Sequence, residues 1–295
     1  MACVAVIGLG NMGGPMAANL RKAGHSVQGF DVSAPCREAA AVGGITIASS
    51  VEEVVGGAEA VLTMLPNGEI VRNVWREAVA VARPGTLMID SSTIDVASAR
   101  AVHDLARRAG QMSLDAPVSG GTEGAAAGSL TFMVGGDSDS FAAGQPLLAA
   151  MGRRIVHCGA AGTGQAAKIC NNMILGVTMI AVSEAFNLAS QVGLAHQALF
   201  DVASTSSGQC YALTTHCPVP GPVPTAAANR DYRPGFAAEL MLKDLGLSQA
   251  VASASGTATP LGAAAHAIFA AFVEQGGRGR DYSAVVEHLR EIPAG

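Results

Sequence analysis

The chain has 295 residues, a net charge of −5, a pI near 5.8 and a mean hydropathy of +0.35. That length suits two domains, or one large one, with sizeable cores, and an acidic balance without basic clusters argues against nucleic acid as the main partner. The apolar excess is alanine and valine, no stretch approaches the roughly 18 uninterrupted apolar residues of a membrane helix, and no membrane partner is expected.

The six cysteines are scattered with no CxxC spacing, and the seven histidines lack HxxxH or HExxH spacing. This predicts a reducing, cytoplasmic compartment, no disulfide framework and no catalytic metal. A strand expected from Cys3 leaves no room for a signal or transit peptide after Met1.

Residues 3–7, Cys-Val-Ala-Val-Ile, form a continuous apolar run of buried parallel-strand type. Gly8-Leu9-Gly10-Asn11-Met12-Gly13 follows, then a helical pattern through Met16 and Leu20 that ends at Gly24. A second strand, residues 26–30, ends in Asp31. The GxGxxG pattern alone is weak in a chain with 36 glycines, but strand, glycine turn, helix, strand and acid in that order form a dinucleotide-binding fingerprint. The glycines allow a tight turn and close approach of a pyrophosphate, and the helix start offers N–H groups to it. Asp31 is placed for an adenosine ribose hydroxyl. With Val32, Ser33 and Ala34 after it rather than arginine, the expected cofactor is NAD, not NADP.

Strands are expected at residues 58–65, ending in Leu65-Pro66, and at 86–89, ending in Asp90-Ser91-Ser92-Thr93. Ligands of doubly wound sheets lie beyond the carboxyl ends of the strands, so Leu65, Pro66 and Thr93 are candidate nicotinamide contacts. Thr93 reads equally well as an N-cap of the next helix. A strand at 111–114 leads into Asp115-Ala-Pro117-Val-Ser119-Gly120-Gly121-Thr-Glu123-Gly124. Ser119, Gly120 and Gly121 present a hydroxyl and successive N–H groups suited to a carboxylate, or else only a glycine-rich turn before a helix. Glu123 reads as a helix-start acid rather than a general base. Strands at 130–134 and 154–158 flank a helix near 140–151.

From Gly162-Thr-Gly-Gln-Ala-Ala-Lys168-Ile-Cys-Asn-Asn172 onward almost only helices are expected. A glycine turn, with Thr163 as N-cap, opens a long helix to about Gln191. Lys168 and Asn172 are four apart and share a face of it. Lys168 lies in the second turn, where the positive helix end disfavours its charged form, so it suits proton transfer. The chain has only three lysines, Lys22, Lys168 and Lys243, among 18 basic residues, and arginine does not release a proton near neutral pH. Further helices are expected at 195–203, from about 236, at 261–275 and at 282–289. The proline-rich stretch 217–234 is long and stiff enough to line or cover a pocket. Lys243-Asp244 is a site pair or a surface pair.

Together the stretches 8–13, 115–124, 162–172 and Lys243-Asp244 resemble the β-hydroxyacid dehydrogenase family over nearly the whole chain. The resemblance implies an α/β Rossmann-type N-terminal domain, residues 1–161, and an all-α C-terminal domain, 162–295, joined by a long interdomain helix. It implies Lys168 as catalytic residue with Asn172 as its partner. Ser119 and Gly120 would hold substrate, and Leu65, Pro66, Thr93 and Lys243 would lie along the cofactor. Family members form dimers or tetramers through the helical domain. Their substrates are small hydroxy acids, here favouring 3-hydroxyisobutyrate, an intermediate of valine breakdown. Tartronate semialdehyde, 3-hydroxypropionate and serine stand as alternatives, and a non-catalytic NAD-binding protein as the rival of a different class.

Overall fold

The computed structural model describes residues 1–292 in two compact units, Met1–Lys168 and Ile169–Gly295 apart from its last three residues. The first unit opens as alternating strands and helices: β1 Cys3–Ile7, α1 Gly13–Lys22, β2 Ser26–Phe30, α2 Ala34–Val42, β3 Thr46–Ile47 and α3 Val51–Val55. It continues with β4 Ala60–Thr63, α4 Gly68–Val81, β5 Leu87–Asp90, α5 Val96–Arg108, β6 Met112–Asp115 and β7 Val118–Ser119. It ends with α6 Gly121–Ala127, β8 Leu130–Gly135, α7 Ser138–Ala149 and β9 Gly152–Gly159. The strands make one sheet in the order β3-β2-β1-β4-β5-β6-β8-β7, with β9 on β8. The five neighbour pairs from β3 to β6 are parallel, whereas β8 runs antiparallel to β6 and β7. This is a Rossmann-type doubly wound sheet with its order reversing at β1.

The uninterrupted apolar reading of the central strands has a direct cause. Both faces of the sheet are covered by helices, so alternate residues of one strand enter different cores. Val4 and Val6 pack in one cluster with Met16, Leu20 and Leu148. Ala5 and Ile7 point the other way, toward Val71, Trp75 and Val102. Trp75 is completely buried, and its indole N–H donates to Thr63 Oγ1 at 3.1 Å, which satisfies the one polar group the ring carries. Fully burying a side chain of this class contributes about 1.5–3 kcal/mol.

The second unit is helical. The boundary between the units falls inside α8 Thr163–Gln191, which is followed by α9 His196–Ala203, α10 Tyr211–Thr214, a 3₁₀ turn Ala227–Arg230, α11 Ala238–Ser255, α12 Pro260–Phe272 and α13 Val285–Glu291. Gly176 of α8 lets α11 approach: a Cβ there would lie 3.0 Å from Leu245. The proline-rich stretch belongs to the core of this unit. Cys217, Val219, Val223 and Ala226 are buried in the core of this unit, and Tyr232 donates its hydroxyl to the Pro218 carbonyl at 2.8 Å. By length and composition α8 would suffice to cross a membrane, with a third of that span buried. Its apolar run is broken by Ser183, Glu184 and Asn187, and its exposed apolar side chains include Ile174 at 62 % and Leu188 at 65 %.

Candidate active site

The glycine turn after β1 divides its labour. Gly8 has φ +95°, and a Cβ on it would lie 2.2 Å from the Met64 carbonyl oxygen. A Cβ on Gly13 would lie 1.9 Å from the Gly8 carbonyl, so these two glycines make the turn and the helix–strand approach possible. At Gly10 an added Cβ meets nothing within 4 Å. That opening is where the backbone can be approached by a pyrophosphate. No side chain caps α1, whereas α3, α4, α5 and α7 are capped by Ser50, Asn67, Asp95 and Asp137. Within the first turn of α1 the Gly14 N–H donates to the Gly10 carbonyl at 3.0 Å and Pro15 has none, so what the turn offers a dinucleotide is the open backbone at Gly10 at the positive end of the helix, and this cradle fits one. Leu9 is buried, Asn11 is exposed and Met12 half-buried at its rim.

Asp31, at the end of β2, accepts from Leu9 N–H at 2.7 Å through one oxygen and from Ser33 N–H at 2.7 Å through the other. The carboxylate is thereby fixed beside the glycine turn. Sequence reading missed Arg37, whose guanidinium reaches back one turn of α2 to the Asp31 carbonyl at 2.6 Å.

Beyond the strand ends lies a polar network inside a chain otherwise apolar there. Asp90 Oδ1 accepts from Thr63 Oγ1 at 2.7 Å and Ser92 Oγ at 2.6 Å. Ser92 Oγ in turn accepts from Leu65 N–H at 2.8 Å, which fixes the Leu65-Pro66 turn against the β5 end. Burial pushes the Asp90 carboxyl up to about 6, opposed by those hydrogen bonds and assisted by Asp115 next door. Thr93 is half-buried and does not cap α5. That role belongs to Asp95, which accepts from Ser98 N–H at 2.7 Å.

The start of α8 is capped from outside. Thr163 does not serve as N-cap, because its hydroxyl donates backward to the Ala160 carbonyl at 2.7 Å. Asp115, from the end of β6, accepts instead from Gly162 N–H and Gln165 N–H, both at 2.8 Å. Its Oδ1 also meets His103 Nε2 at 2.9 Å, and His103 Nδ1 meets Ser113 Oγ at 2.7 Å. Gln165 is wholly buried and bonds both neighbours of Thr93. Lys168 follows three residues later, 8 % exposed, in the first unit with Thr93, Ser119 and the glycine turn.

Ser119 ends β7, and the chain turns through Gly120 at φ +129° and Gly121 at φ +61° into α6. Side chains other than glycine resist both angles, so the turn from Ser119 into α6 needs its two glycines. Glu123 is exposed in the first turn of α6. In the second unit Asn172 is buried and donates through Nδ2 to Asp244 Oδ2. Asp244 is buried on α11, and Lys243 beside it is half-buried.

Comparison with known proteins is consistent over the full length. Residues 3–159 match the NAD binding domain of 6-phosphogluconate dehydrogenase, and residues 162–289 match the family described as NAD-binding of NADP-dependent 3-hydroxyisobutyrate dehydrogenase. A probable 3-hydroxyisobutyrate dehydrogenase of Mycobacterium tuberculosis is 52% identical over 290 residues, 98% of each chain. An NAD-dependent L-serine dehydrogenase of Pseudomonas aeruginosa is 45% identical over 288 residues, 97% of each chain. A solved structure of M. tuberculosis 3-hydroxyisobutyrate dehydrogenase with L-serine superposes with a TM-score of 0.95, covering 98% of this chain and 99% of the other.

Proposed function

Because this chain belongs to the β-hydroxyacid dehydrogenase family, we propose that it oxidises 3-hydroxyisobutyrate to methylmalonate semialdehyde in valine breakdown, with Lys168 as general acid–base. It is an NAD-dependent oxidoreductase of the 3-hydroxyisobutyrate dehydrogenase type, and bound NAD supplies the hydride acceptor. The observation that carries the reading is a buried lysine in the second turn of a helix whose start is fixed to the carboxyl ends of β5 and β6. Those strand ends are where the ligand of such a sheet lies.

In this reading Lys168 Nζ takes the proton of the substrate hydroxyl during oxidation. In the reverse direction the ammonium returns it, and its charge stabilises the alkoxide oxygen in the transition state. Asn172, held by Asp244, orients the hydroxyl. Ser119 with the N–H groups of Gly120 and Gly121 holds the carboxylate, and Gly8, Leu9, Gly10, Asn11, Met12, Gly13, Asp31, Leu65, Pro66, Thr93 and Lys243 hold the cofactor. The domains of this reading are residues 1–161 for the dinucleotide and 162–295 for substrate and assembly. A homodimer or homotetramer is part of it, supported by the exposed Ile174 and Leu188 of α8. So is a cytoplasmic site, which six unpaired thiols suit.

The P. aeruginosa relative gives one second reading, L-serine as substrate. Comparing kcat/KM for 3-hydroxyisobutyrate, L-serine, 3-hydroxypropionate and tartronate semialdehyde separates them. A higher value for any of the last three overturns the valine assignment. General acid–base help is worth about 10²–10⁴-fold, so Lys168→Ala should lose at least about 10²-fold in kcat with NAD binding kept. Near-normal turnover in that variant removes the lysine from the mechanism.

A further inference from the structure

Gln165 has no assigned part in the reaction, yet its side chain ties together two backbone groups beneath the strand ends. It is wholly buried, its Oε1 accepts from Ile94 N–H at 3.1 Å, and its Nε2 donates to the Ser92 carbonyl at 2.7 Å. One planar amide thus pairs with the backbone on both sides of Thr93, as a neighbouring strand would. Its own N–H donates to Asp115 Oδ2, which anchors the same residue at its other end. Lys168 is three residues further along α8, and side chains at that spacing are neighbours on one helix face.

We propose that Gln165 is a positioning residue for proton transfer by Lys168: its amide pins the Ser92–Ile94 segment to the first turn of α8 and so holds Lys168 in register with Thr93. The inference rests on the reading of Lys168 above. Glutamine alone offers a donor and an acceptor in one plane at this reach. Leucine would strand a buried N–H and a buried carbonyl, and glutamate would set an oxygen against the Ser92 carbonyl. Freed of the clamp, the loop and the helix shift separately, and a displacement of about 1 Å between reacting groups costs on the order of 10²-fold.

The test is a cycle of Gln165→Leu, Lys168→Ala and the double variant, with kcat measured at saturating NAD and expressed per NADH-binding site. Gln165→Leu should lower kcat by about 10–100-fold with the Kd for NADH held within a few-fold. In the Lys168→Ala background the same substitution should cost less than about 2-fold, since no lysine remains to be misplaced. An unchanged kcat in Gln165→Leu overturns the inference, as does an equal loss in both backgrounds. Where the Lys168→Ala rate is too low to resolve, the split between kcat and NADH binding in the single variant decides. Should Gln165→Leu not fold, Gln165→Glu keeps the shape and the Ile94 bond and carries the same expectation. Turnover near normal in Lys168→Ala alone refutes the lysine reading, which keeps the two failures apart.

Discussion

Asp115→Ala should destabilise the protein more than any change at the exposed cradle. The carboxylate is 1 % exposed and serves three groups: Gly162 N–H, Gln165 N–H and His103 Nε2, at 2.8, 2.8 and 2.9 Å. Each buried donor left without a partner costs about 1–3 kcal/mol. The three share one small space that water can re-enter, so the sum is an upper limit, and about 3–5 kcal/mol is the expected loss. At about 2–4 °C per kcal/mol for a chain of this size class, Tm should fall by roughly 6–20 °C. Asp115→Asn keeps the shape and one acceptor oxygen but turns an amide group on Gln165 N–H, so about half that loss is expected. Thermal melts of the full chain, with urea unfolding for the free energies, check both. If Asp115→Ala melts within about 2 °C of the parent, the carboxylate is not what holds the start of α8, and the account of the network fails.

Two further outcomes follow from individual carboxylates. Asp31→Ala removes the charge that repels a 2′-phosphate while leaving Arg37 within reach, so the ratio of kcat/KM for NADP over NAD should rise at least about 10-fold; steady-state kinetics with both cofactors reads it, and an unchanged ratio counts against Asp31 as the selector. Asp90 is held up at about 6 against 3.8 unfolded, so its protonated form favours the fold: that contribution is full below about 4 and is lost as pH rises through about 6. Asp90→Asn keeps the Oδ1 acceptor and puts its amide where Oδ2 has no hydrogen-bond partner. It should flatten the slope between pH 4 and 6, while the unpaired buried amide hydrogens offset what loss of the buried charge gains at pH 7. Urea unfolding across that range tests it, and a parent slope that persists in the variant refutes it.

The strands and the dinucleotide turn were legible because their causes are local. Val4 to Ile7 had to be buried on both faces, and Gly8 and Gly13 carry an angle or clearances that any other residue would spoil. The network beneath the site was not legible in the same way. Thr63 and Ser113 could be noticed as polar residues inside apolar strands, but nothing in the chain says that residue 115 bonds residues 162 and 165, or that residue 165 bonds residues 92 and 94. Such partners are brought together by sheet order, and β5 and β6 lie side by side with Asp90 opposite Asp115. The antiparallel insertion of β7 and β8 was hidden for a related reason: two residues, Val118 and Ser119, are too few to show a period.

The placement of Asp115 also changes the electrostatic argument about Lys168. Read from sequence, a lysine in the second turn feels the roughly +0.5 charge of the helix start, which favours losing the proton. In the folded chain a carboxylate bearing a full negative charge accepts from the N–H groups of that same turn. About +0.5 and −1 leave a net negative potential at the helix start rather than a positive one. The bare helix-start charge on which the sequence reading of Lys168 relied is therefore offset in the folded chain. Deleting Asp115 would therefore remove an anion as well as a cap from the start of α8.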